Sequence, residues 1–193
     1  EGYWKFDENL YNSAKDELGK YDGTLVGLVG TGIGKAWTQG KFGNAITLGP
    51  AGGHVHLGGV PIKGDFTASL WIYPENITTD GAVILSKDTI NSMQVFRIEQ
   101  DIIDGSVKAT FYKDGNTDTV SISTAPMLAN RKWTHLALVY NEANATLAFY
   151  VDGNKTVEAN GVTLSGSALS ARHSDLWVGD KLNPVAGRVD DLR

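Results

Sequence analysis

The chain has 193 residues, 41% hydrophobic and 20% charged, with a formal net charge of -5 and no cysteine. This is a globular composition with enough length for one sizeable core, so residues 1–193 read as a single domain. An acidic balance without a basic run argues against a nucleic-acid partner. No apolar run approaches the ~18 residues that membrane insertion needs, and without cysteine there is neither a disulfide framework nor a thiolate nucleophile.

Short runs rich in Val, Thr and aromatic residues alternate with glycine turns along the chain, which favours strands over helices. "YWKFDEN" (3–9) alternates Trp4 and Phe6 with Lys5 and Asp7 and reads as a strand entering a turn. Residues 12–18 read as a short helix or a loop. "GTGIGKAW" (30–37) resembles a phosphate loop only superficially. Val29 stands five positions before Gly34, and Ala36 follows Lys35 where Ser or Thr is required. Trp37 therefore sits in a glycine-rich connection and is a candidate exposed ring.

"FGNAITLG" (42–49) and "HVHLG" (54–58) read as two strands joined by "PAGG". "DFTASLWIYPE" (65–75) is the clearest strand of the N-terminal half. Phe66, Ala68, Leu70 and Ile72 share one face; Thr67, Ser69, Trp71 and Tyr73 share the other. Pro74 is expected to end it, because it offers no amide to a ladder. Strands at 81–88, 94–101, 106–115 and 118–124 follow, with "KDG" and "DGN" as hairpin turns. Segments 133–140 and 147–152 form a further pair, the second ending at Asp152-Gly153. Both faces of the first are apolar, which predicts a central strand and a structural, hydrogen-bonded His135. Weaker strands fall at 156–164 and 175–180. The closing "GRVDDLR" stops in mid-pattern, as an excised module or a chain with a disordered tail would. About twelve short strands without a long helix point to an all-β, two-sheet antiparallel β-sandwich.

Six separated pieces, taken in order, carry a likeness. They are "YWKFDE" (3–8), "GKFGNAITLG" (40–49), "FTASLWIYPE" (66–75), "KWTHLALVYN" (132–141), "LAFYVDGN" (147–154) and "AGRVDDLR" (186–193). In them the chain resembles the laminin-G-like, concanavalin A-like lectin–glucanase jelly-roll superfamily, in the manner of its bacterial modules. The resemblance implies two stacked antiparallel sheets with the first and last strands close together. It also implies a structural Ca2+, with Asp190 as the first choice of ligand and Asp7 and the carbonyl of Gly43 as further ones. It does not choose an activity, since the superfamily holds lectins, carbohydrate-binding modules, adhesion domains, glycanases and lyases.

Glycan hydrolysis needs two carboxylates across a cleft. The related glucanases set acids as Glu-x-Asp-x-x-Glu on one strand, a pattern absent here. "FRIEQDIIDG" comes nearest, but Asp104 falls at the turn beyond Glu99 and Asp101. No lyase set of Tyr, His and Arg assembles either, so the chain reads as non-enzymatic. Sugar sites pair an aromatic platform with polar side chains. The candidates are Trp37, Tyr73, Tyr112 and Trp177, with Arg172 and His173 near the last, and each could equally cap the core. His54 and His56, at i and i+2, point to one side of a strand. A zinc site would need a third ligand, which no residue near them in sequence offers and only the folding of the chain could bring. Three Asn-x-Thr triplets, at Asn76, Asn144 and Asn154, would be acceptors only in a secreted eukaryotic chain.

The expected function is a non-catalytic, lectin-like carbohydrate-binding module of a larger secreted or surface protein. Its partner would be a polysaccharide or glycoconjugate glycan, its neighbours other domains of the longer chain, and its location extracellular or cell-surface. The alternative is a structural spacer or adhesion domain without its own glycan site. Below both stands a glycoside hydrolase or polysaccharide lyase of the same fold. Exposed Trp or Tyr on a sheet face would favour binding over spacing.

Overall fold

The computed structural model describes residues 1–8, 12–28, 36–49, 51–62, 64–77, 80–89, 94–100, 104–112, 119–163 and 174–193. Among them are fifteen strands and no helix. Eight strands form one antiparallel sheet, in the spatial order β1 (Ser13–Ala14), β2 (Gly23–Val26), β5 (His54–His56), β14 (Ser174–Val178), β7 (Ala82–Thr89), β8 (Gln94–Gln100), β9 (Val107–Tyr112) and β10 (Thr119–Ser123). Seven form the other: β13 (Asn154–Asn160), β12 (Thr146–Val151), β11 (Thr134–Asn141), β6 (Phe66–Asn76), β15 (Ala186–Asp190), β4 (Asn44–Leu48) and β3 (Trp37–Gln39).

Period-2 alternation turns one face of each strand into the space between the sheets. In β11, Thr134, Leu136, Leu138 and Tyr140 are buried while His135, Ala137 and Val139 stand half-buried on the other side. β11 lies between β12 and β6, an interior position as its two apolar faces require. The sheets meet through aromatic rings. Phe66 of β6 lies 5.9 Å from Phe111 of β9 and 6.3 Å from Phe96 of β8, with Tyr140 at 5.8 Å. Each such burial contributes roughly 1.5–3 kcal/mol. The two ends of the chain are clasped, since Trp4 and Leu192 exchange both backbone hydrogen bonds, at 2.8 and 2.9 Å.

Several expectations need correction. Among its described residues, 3–8, the 3–9 run contributes only the single bridge at Trp4, because Phe6 adopts φ 57°, outside the extended region. Residues 12–18 hold the short strand β1 rather than a helix. There the buried Asp16 carboxylate accepts the amides of Tyr3, Leu18, Lys20 and Tyr21. Burial alone would raise its pKa, but those four donors outweigh it and hold the group below its ordinary value. Strand β6 continues through Pro74 to Asn76, because a bulge between Ala186 and Gly187 lets the partner strand step past the missing amide. The segments flanking "PAGG" are two strands as expected, β4 and β5, and they lie in different sheets. Asp152-Gly153 does form a two-residue hairpin loop between β12 and β13. Both residues have positive φ, 49° and 80°, which the strand twist favours. The glycine-rich run at 30–35, Asp101, Arg172 and His173 lie outside the described residues.

Candidate functional site: the outward face of the eight-stranded sheet

Cross-strand registers define a row of side chains that crosses this whole sheet. Ser13 pairs with Thr24, Thr24 with His56, His56 with Trp177 and Trp177 with Ser86. Ser86 then pairs with Arg97, Arg97 with Thr110 and Thr110 with Ser121. Partners directly opposite share a face. Leu176, Phe96 and Phe111 fill the interleaved positions and are buried, so the row faces outward. It holds seven polar side chains and one indole.

The indole is fixed from the β5 side. His56 stacks on Trp177 with ring centroids 4.1 Å apart and planes at 20°, and His54 meets it edge-on at 5.3 Å. Gly52 accepts from His54 Nδ1 at 2.9 Å, which orients that ring. His56 Nε2 stands 3.0 Å from Asp175 Oδ2, an ion pair when the ring is protonated but misaligned for a hydrogen bond. β14 reads "SDLWV", so alternation places Asp175 and Trp177 on the same outward side.

The neighbouring strand β7 supplies the polar floor. Ser86 lies opposite Trp177 and Asp88 opposite Asp175. Ser86 Oγ and Asp88 Oδ1 are both enclosed without a hydrogen-bond partner among the described residues. Burial pushes the Asp88 carboxyl above its ordinary value. Arg97 opposes that shift and Asp180 adds to it. Arg97 in turn lies 3.7 Å from Asp180. Tyr112, two residues along β9 from Thr110, completes the same face, and burial raises its hydroxyl pKa. Such a face offers a stacking platform beside directed donors and acceptors, which is what a hydroxylated ring requires.

The structure thus brings four of the six expected ligand residues, His54, His56, Tyr112 and Trp177, to one face. Tyr73 lies outward on the opposite sheet, beneath Arg188 and beside Trp133. Trp37 pairs with Ile46 and is only 8% exposed, so it is a core residue and presents no platform. Sequence reasoning missed Ser86, Asp88 and Arg97 as parts of this face. A cavity of about 1060 Å³ opens between the sheets among Trp4, Phe66, Phe96 and Tyr140. None of the expected ligand residues lines it. Its apolar walls are the rim of the core, so the polar face, not the larger volume, is the candidate site.

The three expected metal residues also meet, at the turn of residues 40–44. Asp7 Oδ1 accepts the Asn44 amide at 2.7 Å, and Asp7 O accepts Asn44 Nδ2 at 3.0 Å. Asp190 Oδ2 accepts the amides of Lys41 and Phe42 at 2.8 and 2.9 Å. Gly43 has φ 55°, and a side chain there would strike the Asp7 carboxylate. Its carbonyl accepts the Gly40 amide at 3.0 Å. Asp190 is 1% exposed and its Oδ1 is buried without a partner. Burial pushes this carboxyl up to about 6, against the two amide donors and with help from Asp191 and Asp7. No group of three His, Cys, Asp or Glu side chains suited to a metal occurs among the described residues.

The family model described as "Concanavalin A-like lectin/glucanases superfamily" matches residues 49–193. A search of the curated proteins found no match. Domain 4 of AbnA, a GH43 extracellular arabinanase from Geobacillus stearothermophilus solved in complex with arabinotriose, is similar in fold. It is 21% identical with a TM-score of 0.76, covering 100% of this chain and 89% of that one. The binding domain of Paraclostridial Mosquitocidal Protein 1 is 15% identical with a TM-score of 0.68, over 96% of this chain and 48% of that one. A heptameric SAP-like pentraxin from Limulus polyphemus is 16% identical with a TM-score of 0.60, over 76% and 73%.

Proposed function

The chain belongs to the concanavalin A-like lectin/glucanases superfamily, and from that premise we propose that it is a non-catalytic carbohydrate-binding module of a larger extracellular or surface protein. Its glycan site is the outward face of the eight-stranded sheet. One observation carries this reading: Trp177, stacked by His56 and bordered by His54, stands in a polar row with the half-exposed Asp175 carboxylate beside it. A sugar ring set against the indole would meet the half-exposed His56 and Asp175 side chains with its hydroxyls. The similar arabinanase domain was solved with arabinotriose, which makes pentose oligosaccharides the first ligands to try.

A structural Ca2+ belongs to the same proposal. Asp190 Oδ1 would be its central ligand, joined by the Asp7 carboxylate and backbone carbonyls of the 40–44 turn that includes Gly43. Calcium takes six to eight oxygens and accepts carbonyls, so two carboxylates suffice as its charged ligands. The ion would tie the N-terminal segment to β15 and neutralise a buried carboxylate. It would lie away from the Trp177 face and take no part in binding the sugar.

The test is an array of arabinans, glucans, xylans, galactans and sialylated glycans, probed with the chain in the presence and absence of calcium. Saturable binding that disappears in Trp177→Ala supports the reading. A flat response across all of them sinks it and leaves a spacer.

A further inference from the structure

The outward face of the seven-stranded sheet carries a second set of rings, and the reading above does not use it. His135 pairs with Trp71 across β11 and β6, their rings 5.1 Å apart. Phe42 meets the other edge of Trp71 at 5.9 Å, nearly perpendicular. Trp133, just before β11, packs on Tyr73 at 5.3 Å. The two indoles open onto a shallow cavity of about 520 Å³ lined by Lys41, Trp71, Trp133, His135, Asp152 and Gly153. Their orientations are set by neighbouring rings before any ligand arrives, which lowers the ordering cost of binding.

The charge around the cavity narrows what fits it. The Lys41 ammonium sits 4.5 Å from the Trp71 ring centroid, and no carboxylate lies within ion-pair distance of it among the described residues. Other cations of this region are already engaged. Arg188 and Arg131 both pair with Glu75, at 2.8 and 3.8 Å, and Arg193 pairs with Asp191 at 3.3 Å. On the opposite wall stands Asp152, whose Oδ1 accepts the His135 amide at 2.8 Å. The His135 ring, expected to be tied by hydrogen bonds, has no hydrogen-bond partner among the described residues and faces the cavity instead. Burial lowers its pKa, so it meets a ligand as a neutral imidazole with one donor and one acceptor.

We propose that this cavity is a second saccharide site, selective for a sugar that bears a carboxylate. The apolar C–H face of the ring packs on Trp133 and Trp71, the carboxylate pairs with Lys41, and hydroxyls reach His135 and Asp152. The proposal rests on the reading of the chain as a glycan-binding module but not on the face assigned to it.

The chain has five tryptophans, so its indole N–H signals report the two faces separately in one NMR titration. The probes are trigalacturonate, trimannuronate, a hyaluronan tetrasaccharide, 3′-sialyllactose and, as a neutral control, arabinotriose. The expected result is a saturable shift of the Trp71 and Trp133 signals with at least one acidic probe, weakened about tenfold or more in Lys41→Gln. Trp133→Ala abolishes it, with unchanged dispersion of the remaining indole signals as evidence of folding. Shifts confined to Trp177 overturn this site and keep the first one. Shifts confined to Trp71 and Trp133 do the reverse. Stillness of those two signals with every acidic probe, as a face reserved for a neighbouring protein domain would give, overturns the proposal. So does full retention of affinity in Lys41→Gln.

Discussion

The two outward faces of this sandwich solve different problems with the same residue type. On the eight-stranded sheet a single indole, Trp177, stands among polar side chains contributed by the other seven strands, and one of these, β7, holds two enclosed oxygens, on Ser86 and Asp88, without hydrogen-bond partners among the described residues. On the seven-stranded sheet the rings pack against one another, with Lys41 and Arg188 lying over Trp71 and Tyr73. The first face is rich in hydrogen-bonding capacity and the second in stacking and positive charge. Identical strand alternation produced both, so the chemistry each face offers is set by what lies opposite a tryptophan across the ladder, not by the tryptophan itself.

The largest expected effect tests whether the margin of the seven-stranded face is a metal-stiffened edge. If calcium binds at Asp190, an ion held at a hundred times its Kd adds about 2.7 kcal/mol to stability. Chelator should then lower the melting temperature at pH 7.5 and leave that of Asp190→Asn unmoved. The pH dependence follows from the Asp190 carboxyl, raised to about 6 from an ordinary 3.8. Between those values the folded state holds a proton that the unfolded state has lost. Without calcium, this group's contribution therefore declines as pH rises through about 6. With calcium the sign reverses, because the ion must displace that proton, so calcium stabilisation is full at neutral pH and fades as pH falls through about 6. Differential scanning calorimetry at pH 5 and 7.5, with calcium and with chelator, reads all four conditions. A chelator effect of equal size at both pH values would exclude Asp190 as the ligand.

Next in size is the loss of the Trp177 platform. Truncating a central aromatic contact costs about 2 kcal/mol, so Trp177→Ala should weaken the glycan that binds the eight-stranded face roughly 30-fold. Trp133→Ala should leave that affinity unchanged, because its ring stands on the other sheet. Isothermal titration of the two variants against the same oligosaccharide checks this. If Trp133→Ala carried the larger loss, the roles assigned to the two faces would have to be exchanged.

Local pattern made much of the architecture legible. The split of β6 into Phe66, Ala68, Leu70 and Ile72 against Trp71 and Tyr73 follows from alternation alone, as does the shared side of His54 and His56. Asp7, Gly43 and Asp190 could be named together only through the resemblance, since no spacing links residues so far apart in sequence. What stayed hidden depends on long-range register. Ser86 and Asp88 end an apolar run, and nothing near them reveals that β14 will set Trp177 and Asp175 opposite. Trp37 looked exposed among glycines because β3 has only three residues, too few to show a period, yet its pairing with Ile46 turns it inward. Trp71 had a face assigned, but its meeting with Trp133, His135 and Lys41 depends on strand register and on how the 40–44 turn folds over β6.

The smallest expected effect separates surfaces built for ligands from surfaces built for stability. His56 and Asp175 are 35% and 30% exposed at their side chains, a range in which an ion pair contributes about 0–1 kcal/mol. His56→Phe keeps a flat ring against Trp177 while removing the ring nitrogens that face Asp175, so stability should shift by no more than ~0.5 kcal/mol. Lys41→Gln should behave alike, since an exposed cation over an indole contributes only about 0.5–1 kcal/mol and glutamine retains part of the packing. Urea denaturation of the two variants beside the parent chain measures both. Small changes in each, combined with a loss of binding confined to the matching face, mean that neither polar set holds the sandwich together and that both remain available to a ligand. A loss above about 1.5 kcal/mol in one variant would place that residue among the supports of its sheet. Its face would then be the rigid back of a module that binds on one side only.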